Sequence, residues 1–248
     1  MDVSLYQAAA AMSATAQWQE MIADNLTSSS ISGGRKRDIS FHDVQAGLDP
    51  SVSSGAQASY FIPTAQVVTN FEQGELHASS NPMDFALEGP GFFTVQLPNG
   101  DNAYTRGGEF QLNGKEQLVT SQGYPVLSGG APVRFNPNST EPITVSATGD
   151  ISQGSQHLGK LDLVEFDHPD SLTMIGADSF RSDNPASQPV PAVATKVRQG
   201  FLESANSSPT TEMSGLVTAM RTFEADQKVM QMQSDRMSRV ISTLGGTS

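Results

Sequence analysis

The most informative absence in the sequence is cysteine, since its lack excludes disulfide bonds and thiolate metal sites. Long apolar runs are also missing: no stretch of 18 or more apolar residues occurs, so we expect no direct membrane insertion. No lysine or arginine precedes Arg35, whereas a secretory signal peptide has a basic start. We therefore expect that, if the protein is exported, it leaves the cytoplasm without a cleaved signal peptide.

Basic residues are scarce throughout the chain, which has 14 lysines and arginines against 26 acidic residues and a formal net charge of -12. Contacts to nucleic-acid phosphates need clustered basic side chains. The composition therefore predicts no nucleic-acid partner.

Catalytic motifs are absent as well. The sequence has no G-x-S-x-G, H-E-x-x-H, Walker loop or G-x-G-x-x-G. His168 lies in the acidic segment Asp167-His168-Pro169-Asp170, where a solvated turn is favoured over a metal ligand. We expect no catalytic residues, no metal and no cofactor, and we do not expect an enzyme.

The strongest pattern that is present runs from Thr211 to Leu244, where apolar residues recur at alternating steps of three and four. A 3.5-residue repeat is typical of a coiled coil, since it keeps one stripe of side chains against a partner helix. Gln227 and Ser234 occupy the two polar positions. The apolar positions are Met213, Leu216, Met220, Phe223, Met230, Met237, Ile241 and Leu244.

A similar repeat occupies the other end of the chain, in an alanine-rich helix predicted over residues 3–27. Thr15 and Gln19 fill its polar positions. Two interpretations stay open: ordinary amphipathic helices packed on a globular core, or termini that pair with each other and with other copies. The apolar positions are Leu5, Ala8, Met12, Ile22 and Leu26.

Between the termini the pattern changes to short alternating segments with Gly and Pro turns, which predicts an antiparallel sheet. Asn99-Gly100 tolerates positive φ at both central turn positions and predicts a hairpin. The predicted strands are 93–97, 103–105, 110–112, 117–120, 124–127, 143–146 and 161–166.

The segment before the sheet has no clear period. The basic run Arg35-Lys36-Arg37 is interpreted as a solvated turn, in preference to an anion contact. Residues 51–59 are rich in Ser, Gly and Ala, which indicates a flexible or partner-ordered segment. Residues 60–68 contain Pro63 and are at best an edge strand.

The whole pattern predicts an α+β fold, with N- and C-terminal α-helices paired as a coiled coil, an inserted antiparallel β-sheet domain and irregular linkers. The predicted divisions are an N-terminal helix (1–34), a linker or partner-ordered segment (35–80), a β-rich domain (81–180), a return linker (181–208) and a C-terminal helix (209–248).

The C-terminal residues resemble the signature of bacterial flagellar rod and hook proteins. Residues 200–206 read G-F-L-E-S-A-N, similar to the family's G-x-L-E-x-S-N, although the serine is displaced. The family's E-M pair follows at 212–213, and its R-x-[YF]-E run with a later lysine matches 221–228. Asp24-Asn25-Leu26 is similar to the amino-terminal A-N-N-L-A-N box.

The sheet region carries matching runs in the same order. Residues 81–93 are similar to the family's N-P-L-D-V-A-I-x-G-x-G-F-F, and residues 104–126 to its Y-T-R…F…L-V-T…G-x-P-V. After the first helix the chain reads Gly34-Arg35, without the phenylalanine usual in the family.

The resemblance implies a structural subunit of the flagellar basal-body rod, located where the rod crosses the periplasm. Its implied partners are other rod and hook-type proteins, copies of itself and the flagellar export apparatus. An unrelated soluble scaffold or binding module is the alternative. The expected assembly interface comprises Leu5, Met12, Ile22, Asn25, Leu26, Met213, Leu216, Met220, Phe223, Met230, Met237, Ile241 and Leu244.

Overall fold

The computed structural model describes the backbone of residues 3–48, 59–139, 141–176, 178–184 and 187–245. It describes the side chains of residues 7–42, 64–139, 141–176, 178–184, 187–240 and 242–243. The chain is α+β, with a helix at each end and antiparallel sheets between them, which confirms this part of the prediction. It divides into two compact units, a helical unit (described residues 3–25, 37–48, 59–68 and 209–245) and a β unit (described parts of 26–36 and 69–208).

Helix α1 spans Val3–Ser28 and helix α2 spans Pro209–Gly245. Helix α1 is rich in alanine and contains neither Gly nor Pro, which suits a helix interior. Helix α2 begins with a proline, whose missing N–H costs nothing in the first turn, and Glu212 places a carboxylate near the helix start. No helix in the described part of the chain is both long and apolar enough to cross a membrane.

Two long strands also belong to the helical unit. Strand β1 (Arg37–Leu48) pairs with strand β2 (Ser59–Thr69) in a two-stranded sheet. The sequence predicted an edge strand at best over 60–68 and no strand over 37–48. The serine-rich segment 51–58 between the strands lies outside the described residues.

The remaining strands lie in the β unit. The first group is β3 (Leu76–Ala78), β4 (Phe85–Glu88), β5 (Phe92–Gln96), β6 (Asn102–Thr105), β7 (Phe110–Leu112), β8 (Leu118–Thr120), β9 (Leu127–Ser128) and β10 (Ala131–Pro132). The second group is β11 (Ile143–Val145), β12 (Asp150–Gln153), β13 (Gln156–Lys160), β14 (Leu163–Glu165), β15 (Thr173–Met174), β16 (Ser179–Arg181), β17 (Val190–Pro191), β18 (Lys196–Gln199) and β19 (Phe201–Glu203).

These strands form one larger sheet and several small ones. The six-stranded sheet has the order β15-β16-β6-β5-β14-β17, and β11-β12-β13 form a three-stranded sheet. Strands β18 and β19, close to the end of the unit, pair antiparallel with β4 and β3 near its start. The chain therefore leaves the β unit beside the point where it enters.

The hairpin between β5 and β6 has its turn where the sequence predicted one, but the backbone conformation of the turn differs from the prediction. The Leu97 N–H donates to the Asp101 carbonyl at 2.8 Å, so a tight turn forms where Asn99-Gly100 predicted one. Of the two central residues, only Gly100 has a positive φ, 91°. The turn therefore differs from the predicted form with positive φ at both positions.

Two apolar clusters fill the β unit. The larger contains aromatic and branched side chains from most of its strands, including Phe85, Leu87, Phe93, Val95, Phe110, Leu118, Ile151 and Val197. The second is aromatic, with Phe92, Tyr104, Phe166, Leu172 and Phe180. The two faces of β5 explain the division, since Phe92 and Phe93 point to opposite sides of the sheet.

Candidate functional site

The two terminal helices contact each other within the helical unit. The Thr15 hydroxyl lies 2.8 Å from the Asp226 carboxylate and 2.8 Å from the Ala11 carbonyl, and it donates to one of them at a time. The Gln19 amide donates to the Ala219 carbonyl at 3.2 Å. Later residues of α1 meet earlier residues of α2, so the helices run antiparallel.

A small apolar cluster holds this contact. Ala219 is completely buried although it belongs to no apolar position of the predicted repeat. A small residue there lets the two helix backbones approach closely, which a search for large apolar side chains does not detect. The buried members are Met21, Ile22 and Ala219, and the half-buried members are Trp18, Ile39 and Leu216.

Asn25 holds three segments of the helical unit together. Its side-chain oxygen accepts from the Arg37 N–H at 2.8 Å, and its amide donates to the Arg37 carbonyl at 2.8 Å. The same amide lies 3.4 Å from the Glu212 carboxylate in the first turn of α2. The residue of the amino-terminal box therefore meets the glutamate of the carboxyl-terminal E-M pair.

The structure brings only some of the predicted interface residues together. Ile22 and Leu216 share the apolar cluster, and Asn25 is buried beside it. The side chains of Leu5, Ile241 and Leu244 lie outside the described residues. The half-buried members are Met12, Leu26, Phe223 and Met230, and the exposed members are Met213, Met220 and Met237.

Helix α2 keeps much apolar surface exposed in the single chain. Met213 is 58% exposed and Met220 is 51% exposed, while Met232 is 63% exposed. Val217, Val229 and Val240 on the same helix are also exposed. Exposed large apolar side chains in this number on one helix are typical of a protein-interaction site.

The β unit contains a buried ion-pair cluster that the sequence did not predict. The Arg35 guanidinium lies 2.7 Å from one Glu203 carboxylate oxygen, and Arg106 lies 3.2 Å from the other. The Arg35 and Glu203 side chains have no exposed surface, and Arg106 has almost none. The Gly74 N–H also donates to Glu203 at 2.8 Å. One carboxylate thus joins segments that are far apart in the sequence.

Arg106 has the most perturbed environment in this cluster. The pKa of Arg106 is lowered to about 10, chiefly by burial; the neighbouring Arg35 acts in the same direction, and Glu203 opposes the shift. Its guanidinium also donates to the Gly89 carbonyl at 2.5 Å and lies 5.2 Å from the centre of the Phe92 ring. A pKa of about 10 leaves Arg106 charged at neutral pH, so Glu203 must balance two cations.

The prediction that the basic run is a solvated turn is wrong. Arg35 is buried in an ion pair with Glu203. Glu203 lies 168 positions further along the chain, so no local sequence pattern could reveal this pairing. Lys36 donates its backbone N–H to Asn206 at 2.7 Å, and Arg37 forms an ion pair with Asp24. Gly33 packs so closely that a Cβ there would lie 2.4 Å from the Arg106 carbonyl carbon.

Asn206, the final residue of the G-F-L-E-S-A-N run, resembles Asn25 in its role. Its side-chain oxygen accepts from the Lys36 N–H, and its amide lies within 3.0 Å of the carbonyls of Asn70 and Glu72. The signature residues therefore hold the backbone where the chain enters and leaves the β unit.

Metal and cofactor chemistry has little support in this arrangement. No group of three or more His, Cys, Asp or Glu side chains in the described part of the chain is placed to hold a metal. A cleft of about 390 Å³ on the larger sheet is lined by Thr94, Tyr104, Lys160 and prolines 189 and 191. This lining contains neither a nucleophile–base pair nor paired acidic groups suited to catalysis.

Comparison with known proteins agrees with the signature residues. The model of the flagellar hook protein FlgE/F/G D1 domain matches residues 86–153, and that of the flagellar basal body rod FlgEFG protein C-terminal region matches residues 198–243. The flagellar basal-body rod protein FlgF of Rhizobium meliloti is 33% identical over 252 residues, and FlgF of Mesorhizobium japonicum is 30% identical over 252 residues. Both alignments cover 100% of this chain and of the relative.

FlgG proteins are similarly related. The flagellar basal-body rod protein FlgG of Borreliella burgdorferi is 31% identical over 263 residues, covering 97% of this chain and 98% of the relative. The fold and these relatives define a structural protein whose two termini form a common helical unit. The chain belongs to the flagellar rod and hook protein family and is a structural subunit of the flagellar basal-body rod.

Proposed function

We propose that this subunit assembles head to tail through its terminal helices, with copies of itself and with other rod and hook-type proteins. The observation that carries the proposal is the apolar surface that α2 leaves exposed in the single chain. Contacts that do not close into a ring generate a helical filament, which is the form that a drive shaft needs. The subunit has no catalytic role and needs no cofactor.

The terminal helices are proposed to pair as a coiled coil in the assembled rod. Support comes from the antiparallel contact between α1 and α2 and from the 3.5-residue repeat that continues along α2 beyond it. Burying one Leu, Met or Phe of this repeat contributes ~1.5–3 kcal/mol. We propose that the terminal helices are incompletely ordered in the monomer and order fully on assembly, since a helix without a packed face is marginal in water.

The proposed interface is the set expected from the sequence. Ile22, Asn25 and Leu216 also serve contacts within the chain, so their contribution to assembly is partly indirect. Met213, Met220 and Met237 are exposed and contribute directly. The remaining proposed members are Leu5, Met12, Leu26, Phe223, Met230, Ile241 and Leu244.

Within the rod, we propose the proximal segment, as a FlgF-like component, with the FlgG-like distal segment as the alternative. Tyr6 and the R-T-F-E run at 221–224 favour the proximal component. The relatives include both FlgF and FlgG proteins at similar identity. We further propose export by the flagellar export apparatus and a final position in the rod where it crosses the periplasm.

Complementation of a deletion strain tests the assembly proposal. Leu216→Asp and Met237→Asp are expected to abolish rod incorporation and motility, while Leu112→Asp on the exposed side of β7 serves as the matched control and retains both. Imaging of purified basal bodies with subunits assigned distinguishes the proximal from the distal position. Normal rods built from Met237→Asp would show that this side of α2 is not an interface.

A further inference from the structure

Methionine carries all the sulfur of this chain, which has ten methionines and no cysteine. Five of the ten lie in α2: Met213, Met220, Met230, Met232 and Met237. A thioether sulfur is oxidised when an oxidant reaches it, and in a chain without cysteine no thiol competes for that oxidant. The exposure of each methionine therefore decides where the chain reacts.

Among the described side chains, the exposed methionines are confined to α2. Met213, Met220 and Met232 are more than half exposed, and Met237 is 37% exposed. Met21, in the contact between α1 and α2, is only 4% exposed. The other described methionine side chains are half-buried: Met12, Met83, Met174 and Met230. An oxidant in solution therefore reaches the methionines of α2 first.

Three of the four exposed methionines belong to the proposed interface. Met213, Met220 and Met237 occupy apolar positions of the 3.5-residue repeat. Met232 is outside the repeat, since it follows Met230 by two positions and residues two apart on a helix point to different sides. Met232 is thus an internal reference on the same helix, open to an oxidant but outside the proposed interface.

Peroxide converts such a methionine to its sulfoxide in one balanced step. A sulfur lone pair attacks one peroxide oxygen, the O–O bond breaks as the S–O bond forms, and the second oxygen leaves as water after a proton shift. The sulfur loses the two electrons that the peroxide gains. An apolar side chain thereby becomes polar, and burying its new acceptor oxygen without a donor is unfavourable.

We propose that Met213, Met220 and Met237 form an oxidation-sensitive site, at which peroxide blocks assembly of the free subunit by converting the three thioethers to sulfoxides. A neighbour packed on α2 would cover these sulfurs, so the sensitivity belongs to the subunit before assembly. This inference rests on the proposed function, to which it adds regulation of the interface by oxidation.

Partial oxidation of the purified full-length subunit tests the site within one sample. Peroxide is removed with catalase, the subunit is left to self-associate, and sedimentation separates the associated fraction from the free one. Peptide mass spectrometry then locates the sulfoxides in both fractions. Sulfoxide at Met213, Met220 and Met237 is expected to be about tenfold depleted in the associated fraction, while sulfoxide at Met232 is equal in the two.

Two results of this experiment would count against the account in different ways. Equal sulfoxide at Met213, Met220 and Met237 in the two fractions would overturn the oxidation-sensitive site. Failure of the untreated subunit to associate would contradict the proposed assembly of copies, and this inference with it.

Leucine variants test the same site in cells that assemble rods. Leucine lacks the thioether and has a volume similar to that of methionine. Rods of a complemented deletion strain are counted with and without peroxide, and mass spectrometry of the subunit verifies its oxidation. The wild type and the control Met232→Leu are expected to lose rods about tenfold on oxidation, whereas the combined Met213→Leu, Met220→Leu and Met237→Leu variant keeps its untreated number. An equal loss in the combined variant would overturn the inference.

The inference and the proposed function can fail separately. Oxidised wild-type subunits that build normal rods, in cells where Leu216→Asp builds none, would overturn the oxidation-sensitive site and leave helix-mediated assembly intact. Normal rods from both Leu216→Asp and Met237→Asp would instead contradict helix-mediated assembly itself.

Discussion

The β unit and the helical unit differ in how completely they bury their side chains within a single chain. In the β unit, large aromatic and branched residues are completely buried, and even two arginines are enclosed beside a glutamate. In the helical unit, the buried apolar cluster of the described residues is small, and α2 exposes methionines and valines along its length. The β unit is thus complete in one chain, whereas the helical unit retains surface for a neighbour.

This difference separates the unit with a filled core from the unit that we propose for assembly. A unit with a filled core holds its shape before and after assembly. A long helix with a single short contact depends on additional packing, since isolated helices gain little stability from local propensity. The part of the chain that we propose for assembly is therefore the part that leaves apolar surface exposed in a single chain.

The largest effect is expected from Glu203→Gln in the β unit. Removing the carboxylate charge leaves Arg35 and Arg106 buried without a counter-charge, which costs ~3–5 kcal/mol of unfolding free energy. Hydrogen-exchange mass spectrometry of peptides from strands β4 to β8 during a urea titration measures this loss.

The matched control for that variant is Glu88→Gln, since Glu88 forms an ion pair with Arg198 in which both side chains are about half exposed. The control is expected to cost less than ~1 kcal/mol. Similar losses for the two variants would show that the buried cluster is not a special source of stability.

A smaller effect is expected from Ile22→Ala in the helical unit. Ile22 is 2% exposed, but its cluster is small and can collapse around the lost methyl groups, so we expect a cost near the low end of the usual range, ~2 kcal/mol. Trp18 packs on the same cluster and is the sole tryptophan, so its fluorescence follows this unit alone. Val229→Ala, at an exposed position of α2, should shift the transition by at most ~0.5 kcal/mol. Equal costs at the two positions would refute the described packing.

The smallest effect concerns a surface turn of the β unit. The hydroxyls of Thr148 and Ser146 donate to Asp150 and hold the pKa of its carboxyl below the usual 3.8. A carboxyl group whose pKa is lower in the folded protein stabilises the fold at pH values above its pKa in the unfolded chain. This stabilisation is lost as the pH falls through its pKa in the folded protein. Thr148→Val should raise the pKa of Asp150 toward 3.8 and flatten the acid dependence of stability.

Carboxyl-carbon NMR titration measures this shift directly. Thr144→Val, at an exposed position of β11, is the control and should leave the pKa of Asp150 unchanged. An unchanged pKa in Thr148→Val would show that the hydroxyl does not hold the carboxylate.

Sequence patterns predicted the helices and strands that are specified by residues close together in the chain. The alanine-rich run and Pro209 located both helices, and alternation with Gly turns located β5 to β8, β11 and β14. Strands β12 and β13 were missed, since Asp150–Gln153 and Gln156–Lys160 are polar segments whose pairing depends on neighbours. Short strands such as β18 and β19 are specified by partners more than a hundred positions earlier.

The candidate site also has parts that the sequence predicted and parts that it did not. The repeat located the two helices, but it did not identify Ala219 as a buried residue of their contact, because an alanine adds little to a hydrophobic pattern. The Arg35–Glu203–Arg106 cluster could not be predicted for a different reason. Charged residues are usually exposed, and their burial can be expected only when their distant partners are known.

Amide hydrogen exchange in the free subunit and in assembled rods tests the central claim most directly. In the free subunit, the account predicts that amides of β5 and β6 exchange orders of magnitude more slowly than those of the second half of α2, residues 227–245. On assembly, protection should rise in α2 and stay unchanged in the β unit. Equal protection of both regions in the free subunit, with no gain in α2 on assembly, would contradict the account.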